Sequence, residues 1–252
     1  MRYSANLRVS RRYNILKDRF GKSAVVPIFL ALVFIVLILI INFAHLSVEQ
    51  LIGGFLVSLV RTSIAYLIAL IFALIIALLV TANQKFENIL LPIFDVLQSF
   101  PSFALFPVLV QALRNSPEMV IISVLSITMI WPILFSIIGG IKNRREDLEE
   151  AATIFGATGF KRLIHFTLPL LFPSIVTGSI VGWGEGWEFI IGAELFVKVN
   201  IGVGSYLGTL GENQQNLLLA FGIVVLLLLL FIINKIVWLP LLQKATEFES
   251  EA

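Results

Sequence analysis

The stretch EDLEEAATIFGATGFKRLIHFTLPLLFP, residues 146–173, is the longest polar interruption in a chain that is otherwise rich in apolar residues. Within it Leu148, Ala151, Ala152 and Phe155 are spaced at i, i+3, i+4 and i+7, and acidic residues crowd the first turn. This spacing predicts a short amphipathic helix. Because its apolar stripe is narrow and acidic at one end, we expect a protein groove rather than anionic lipid to receive it.

The composition of the whole chain is that of an integral membrane protein. Of its 252 residues, 58% are hydrophobic and 13% are charged, and the mean hydropathy is +0.98, which excludes an ordinary soluble domain. The sequence has no cysteine, so it forms no disulfide and has no thiolate ligand or nucleophile. His45 and His165 lie far apart without neighbouring ligand patterns, and we expect neither a bound metal nor a nucleic-acid partner.

Six apolar runs are long enough to cross a bilayer, which predicts an all-α integral membrane fold with six transmembrane helices. The runs cover residues 24–44, 57–80, 89–112, 119–140, 166–192 and 216–239. Residues 1–22 are predicted to form a cytoplasmic basic tail, and residues 23–252 a single transmembrane domain. In the third run, Pro101 and Pro107 each remove a helical hydrogen bond, so we expect this helix to be bent or partly unwound.

The distribution of Lys and Arg orients these spans. Fourteen of them fall in the tail, near residue 85, in the loop of residues 141–165 and at the C-terminus, whereas the opposite loops hold only Arg114 and Lys198. Basic residues accumulate on the cytoplasmic side of a membrane protein. Both termini and the amphipathic stretch between the fourth and fifth spans are therefore predicted to be cytoplasmic.

At this cytoplasmic stretch the chain resembles the permease subunits of ATP-binding-cassette (ABC) importers. Their signature reads Glu-Ala-Ala, three residues, Gly, nine residues, Ile, one residue, Leu-Pro. The matching residues here are Glu150, Ala151, Ala152, Gly156, Leu168 and Pro169, with Phe166 in place of the Ile. The alternative interpretation is an ordinary amphipathic linker between two membrane helices.

The resemblance implies both a role and partners. The segment of about residues 146–165 would be the coupling helix that docks on an ATPase, with Phe155 on its apolar face. Two ATP-binding subunits would carry ATP and Mg²⁺, and this chain would bind no cofactor and catalyse no reaction. One docking helix per chain implies a second permease copy, identical or related. An extracytoplasmic solute-binding protein and the cytoplasmic membrane of a prokaryote complete the expectation.

Two further segments are similar to the nitrate, sulfonate, taurine and bicarbonate branch of these permeases. One surrounds Pro101, and the other runs from Gly186-Trp187 through Glu194 to residues 202–204. This likeness implies a small anion as the solute. We expect Glu194 to lie near the outer surface, where Lys198 is the predicted partner.

Charged residues within the spans are costly and are expected to face protein or water. Three such charged residues, together with a proline and a tryptophan from the two branch-like segments, are candidates for the translocation path. The five candidates are Arg61, Pro101, Glu185, Trp187 and Glu188. Each has a structural alternative: a proline kink, a paired or protonated glutamate, or an arginine that reaches the outer headgroups. Arg61 is also a candidate to bind an anionic solute or to neutralise Glu185 or Glu188.

In α-helical register Gly178, Gly182 and Gly186 form one face that allows close helix packing. A second functional class also fits the intramembrane carboxylates, namely a channel or secondary transporter that needs no ATPase. An intramembrane enzyme is disfavoured because no HExxH or GxSxG motif occurs.

Overall fold

A computed structural model describes residues 28, 31–36, 38, 48–113, 116–143 and 158–251. All regular secondary structure in this part of the chain is helical, as predicted. The helices are α1 (Val48–Thr81), α2 (Gln84–Gln98), α3 (Phe106–Ala112), α4 (Pro117–Lys142), α5 (Gly159–Arg162), α6 (Leu168–Val197), α7 (Val203–Glu212), α8 (Asn216–Ile233) and α9 (Leu239–Glu251).

Four described helices are long and apolar enough to cross a membrane: α1, α4, α5 continued by α6, and α8 continued by α9. The pair α2 and α3 meets the same criteria as one broken span, bent by 85°. The third run is therefore strongly bent, as expected. The bend lies at Pro101, whereas Pro107 occupies the first turn of α3. Of the first predicted span, residues 31–36 are helical, and the rest lies largely outside the described residues. The structure thus accounts for four or five of the six predicted spans.

Two π-helical turns interrupt the long helices at equivalent sequence positions. Leu163–Thr167 is followed by Leu168-Pro169, and Asn234–Trp238 is followed by Leu239-Pro240. A proline cannot donate to the carbonyl one turn earlier, and its ring clashes there. A single wider turn relieves this conflict and lets the helix continue.

Helix α4 is the centre of the bundle and packs between α1 and α6. In the most apolar part of α4, 50% of the residues are buried, whereas the corresponding share is 17% in the span formed by α8 and α9. Small residues make this packing possible on both sides. From α1, a stripe of four alanines faces the core, and from α6 the three glycines of the predicted stripe do so. The alanines are Ala65, Ala69, Ala73 and Ala77.

The glycine face of α6 lies directly against the backbone of α4. A Cβ atom added at Gly178 would come within 2.9 Å of the Cα of Ile133, and one at Gly182 within 3.0 Å of the carbonyl oxygen of Met129. A methyl group does not fit at these distances. The close approach predicted from the four-residue spacing is confirmed, and its partner is α4 of the same chain.

The ends of four helices meet at one end of the bundle. Lys142, the last residue of α4, forms a 2.6 Å salt bridge with buried Glu87 in the first turn of α2. A cavity of about 250 Å³ lies between Thr81, Ile141 and Gly159 at the same end. The chain therefore leaves α4 and returns to α5 at this end, so the intervening residues 144–157 are attached here.

Candidate functional site

The predicted coupling segment falls mostly outside the described residues. Its motif residues Glu150, Ala151, Ala152, Phe155 and Gly156 belong to that undescribed stretch. Leu168 and Pro169 are described, and they form the first turn of α6 immediately after the π-helical turn. Gly159 has a φ of +54°, a backbone conformation that glycine adopts readily, and it begins α5.

A cavity of about 510 Å³ lies where the break between α2 and α3 faces α4 and α6. Its wall consists of residues 98–102, Thr128, Trp131, Pro132, Glu185, Glu188 and Phe189. The cavity thus brings together three of the predicted path residues, Pro101, Glu185 and Glu188, from two segments more than 80 residues apart in the sequence.

Proline and aromatic side chains position the break that forms one wall of this cavity. Pro101 is extended (φ −64°, ψ 110°), and the chain then re-enters a helical conformation at Ser102. The ring of Phe103 stacks on Phe189 of α6, with centroids 4.5 Å apart. Gly192 makes room for it, since an added Cβ would lie 2.9 Å from that ring. The break is therefore anchored to α6 beside the cavity.

The electrostatics of the cavity are one-sided. Glu185 is partly exposed and Glu188 is exposed, and neither has a hydrogen bond or ion pair within the described residues. They are also the only ionisable side chains among the described residues that line the cavity. Placement away from lipid remains a prediction for both, because charged groups in membrane spans are expected to face protein or water.

Arg61 lies elsewhere, in a buried network between α1, α4, α6 and α7. It donates to Glu118 at 2.5 Å, to Glu194 at 2.7 Å and to the carbonyl of Ile201 at 2.7 Å. Glu194 is completely buried, and it also accepts from the hydroxyl of Ser58 at 2.6 Å and from the backbone N–H of Gly204 at 2.7 Å. These contacts tie the start of α7 to three other helices.

This network corrects two expectations. Glu194 does not pair with Lys198, which is an exposed residue at the C-terminus of α6 with a left-handed backbone conformation. Arg61 is only 5% exposed, so it does not reach the outer headgroups, and its ion pairs are with Glu118 and Glu194 rather than with Glu185 or Glu188. Glu118 was not among the predicted residues, because it lies at the edge of an apolar run.

Trp187 also lies outside the cavity. It is 4% exposed, and its ring stacks on Phe55 of α1 with centroids 5.3 Å apart. Trp183 belongs to an adjoining aromatic cluster with Tyr66 and Trp238, which attaches the last span to α1 and α6. These tryptophans pack the core on the side of α6 that faces α1.

Comparison with known proteins identifies the family. Residues 67–239, which include the whole cavity, match the family described as "Binding-protein-dependent transport system inner membrane component". The chain belongs to this family. Its resemblance to ABC importer permeases is thereby confirmed, and it is a multi-pass membrane protein of a transport system.

Several members of this family with assigned solutes are similar to the chain. The nitrate import permease protein NrtB of Leptolyngbya laminosa is 28% identical over 180 residues, which are 71% of this chain and 64% of that protein. The bicarbonate transport system permease protein CmpB of Synechococcus elongatus is 30% identical over 63% of this chain and 56% of its own length. The taurine transport system permease protein TauC of Escherichia coli is 26% identical over 70% of this chain and 64% of its own length. The chain thus spans about three fifths of each of these relatives.

Proposed function

We propose that this chain is the transmembrane permease subunit of an ATP-driven solute importer in the cytoplasmic membrane of a prokaryote. The match to the permease family over residues 67–239 carries the proposal. The Glu-Ala-Ala motif at residues 150–152, with its Gly156 and Leu168-Pro169 spacing, supports it independently. In this proposal six spans with cytoplasmic termini form the solute path, and the chain itself catalyses no reaction.

The proposed mechanism couples nucleotide binding to movement of the bundle. Two ATP-binding subunits hold ATP and Mg²⁺, and each receives one coupling segment of about residues 146–165 from one of two permease copies. This segment joins the C-terminal end of α4 to α5, which continues into α6. Its displacement therefore acts on α4 and α6, both of which line the cavity. An extracytoplasmic binding protein delivers the solute. The first candidates for the solute are small anions such as nitrate, bicarbonate, taurine and other sulfonates, by analogy with the names of the relatives.

Copurification tests this assignment. The tagged chain is coexpressed with the Walker-motif ATPase of the same system, and ATPase recovery and solute uptake are measured for the wild type, Gly156→Trp and Gly211→Trp. Gly211 is a matched control because it is exposed at the end of α7, with no atom within 4 Å of an added Cβ. We expect Gly156→Trp to lower both the amount of captured ATPase and the rate of solute uptake at least tenfold relative to the wild type. The control should retain both.

The alternative is an ATPase-independent channel or secondary transporter, which is favoured by two cavity carboxylates that have no partner in the described part of the chain. It predicts that the wild type captures no ATPase, or that Gly156→Trp transports as well as the wild type. Either result would exclude the importer assignment.

A further inference from the structure

The cavity between the α2–α3 break, α4 and α6 has a charge that does not suit an anion. Glu185 and Glu188 both border it, and no Lys, Arg or His is among the described residues of its wall. Arg61 is not part of this wall and is bound to Glu118 and Glu194. Carboxylates without a neighbouring cation repel anions and attract cations.

These carboxylates also lack an internal partner. Within the described residues neither forms a hydrogen bond or an ion pair, although both lie on a membrane-spanning helix. Ionisable groups at such positions ordinarily pair with one another, with a ligand or with water. In contrast, Glu194 of the same helix has three donors. The difference separates a glutamate that holds the fold together from two that remain available to a ligand.

The rest of the wall holds three aromatic side chains, two prolines and four uncharged polar side chains. The side chains of Phe100, Trp131 and Phe189 line the same space as the carboxylates. Aromatic faces attract cations electrostatically and also stack against planar apolar groups. Irregular backbone at membrane depth, as at Pro101, is tolerated where it lines a hydrated cavity. Aromatic rings around a pair of carboxylates form a suitable environment for an organic ammonium group.

We propose that the cavity accepts a solute that carries a protonated amine on a compact apolar or aromatic body. The ammonium group lies between Glu185 and Glu188, and the body lies against Trp131 and Phe189. This inference rests on the proposed function, because it treats the cavity as part of the solute path. It favours an amine-bearing solute over simple anions such as nitrate and bicarbonate.

Binding of three matched probes to the purified chain in nanodiscs tests the proposal. Benzylamine, benzyl alcohol and benzoate share one ring and differ in charge, and ligand-observed NMR measures their binding after subtraction of empty nanodiscs. We expect benzylamine to bind at least tenfold more tightly than the other two at neutral pH. Glu185→Gln and Glu188→Gln should each weaken it at least threefold, and Glu212→Gln, at an exposed position outside the cavity, should not.

A charge reversal gives an outcome that loss of folding cannot imitate. The double variant Glu185→Gln/Glu188→Lys leaves a cation as the only charge that these two positions place in the cavity, so benzoate should then bind more tightly than benzylamine. Equal binding of the three probes to the wild type, tighter binding of benzoate, or benzylamine binding that neither Gln variant weakens would overturn the proposal. ATPase capture tests the coupling segment of about residues 146–165, which does not include these glutamates. Normal capture without amine selectivity therefore refutes the solute class alone, whereas amine selectivity without capture refutes the importer assignment.

Discussion

Removal of Arg61 should destabilise the fold more than any change to an exposed charge. In Arg61→Met the ion pair with Glu194 is lost, and a fully buried carboxylate keeps only Ser58 and the N–H of Gly204 as donors. Breaking a buried ion pair by removing one partner costs about 3 to 5 kcal/mol. The second pair, with Glu118, contributes little, because the side chain of Glu118 is 56% exposed and such pairs are worth about 1 kcal/mol or less. We therefore expect a loss of about 3 to 5 kcal/mol.

The free energy of unfolding can be measured by titration with sodium dodecyl sulfate in mixed micelles, followed by near-UV circular dichroism. Glu118→Gln should cost about 1 kcal/mol or less. Lys198→Met should cost almost nothing, because Lys198 is exposed and takes no part in the network. The double variant Arg61→Met/Glu194→Gln should recover a large part of the loss, since it removes the buried charge. If Arg61→Met were within 1 kcal/mol of the wild type, or if Lys198→Met cost as much, our account of this network would be wrong.

Two further predictions concern the packing of α6. Gly182→Leu should lower the free energy of unfolding by about 1 to 3 kcal/mol, because an added Cβ would lie 3.0 Å from the carbonyl oxygen of Met129. The control Gly184→Leu, with no atom within 4 Å of its Cβ, should be neutral or slightly stabilising, and equal losses in the two would contradict the packing. Trp187→Ala should cost about 3 to 5 kcal/mol while leaving probe affinity of the folded fraction unchanged, because Trp187 stacks on Phe55 outside the cavity. A tenfold loss of probe affinity would instead indicate that Trp187 lines the solute path.

Local rules were sufficient for features that depend on nearby residues. The bend between α2 and α3 follows from Pro101, since a proline removes a backbone donor, whereas Pro107 lies in the first turn of α3, where no donor is needed. The close packing of α6 follows from glycines four residues apart, because such residues share one helical face. Both features were predicted, and the structure contains both.

Contacts between distant segments were beyond these rules. Arg61 meets Glu118 and Glu194 across separations of 57 and 133 residues. Helical periodicity gives the face on which Arg61 lies, but it does not specify which helix covers that face. The choice of Lys198 as the partner of Glu194 relied on sequence proximity, and it was wrong because α6 ends at Val197 and leaves Lys198 exposed.

The position of the cavity follows from the way α6 packs. Its glycine face lies against α4, so residues beside that face emerge at the edge of the α4–α6 contact. At about 100° per residue, Glu185 lies roughly 60° from Gly182, and Glu188 a further 60° or so in the same direction. Both carboxylates therefore emerge beside Trp131 and Pro132 of α4, and the α2–α3 break lines the same cavity. The close helix packing and the acidic wall thus have a common cause, because the register that seats the glycines also directs the two glutamates into the cavity.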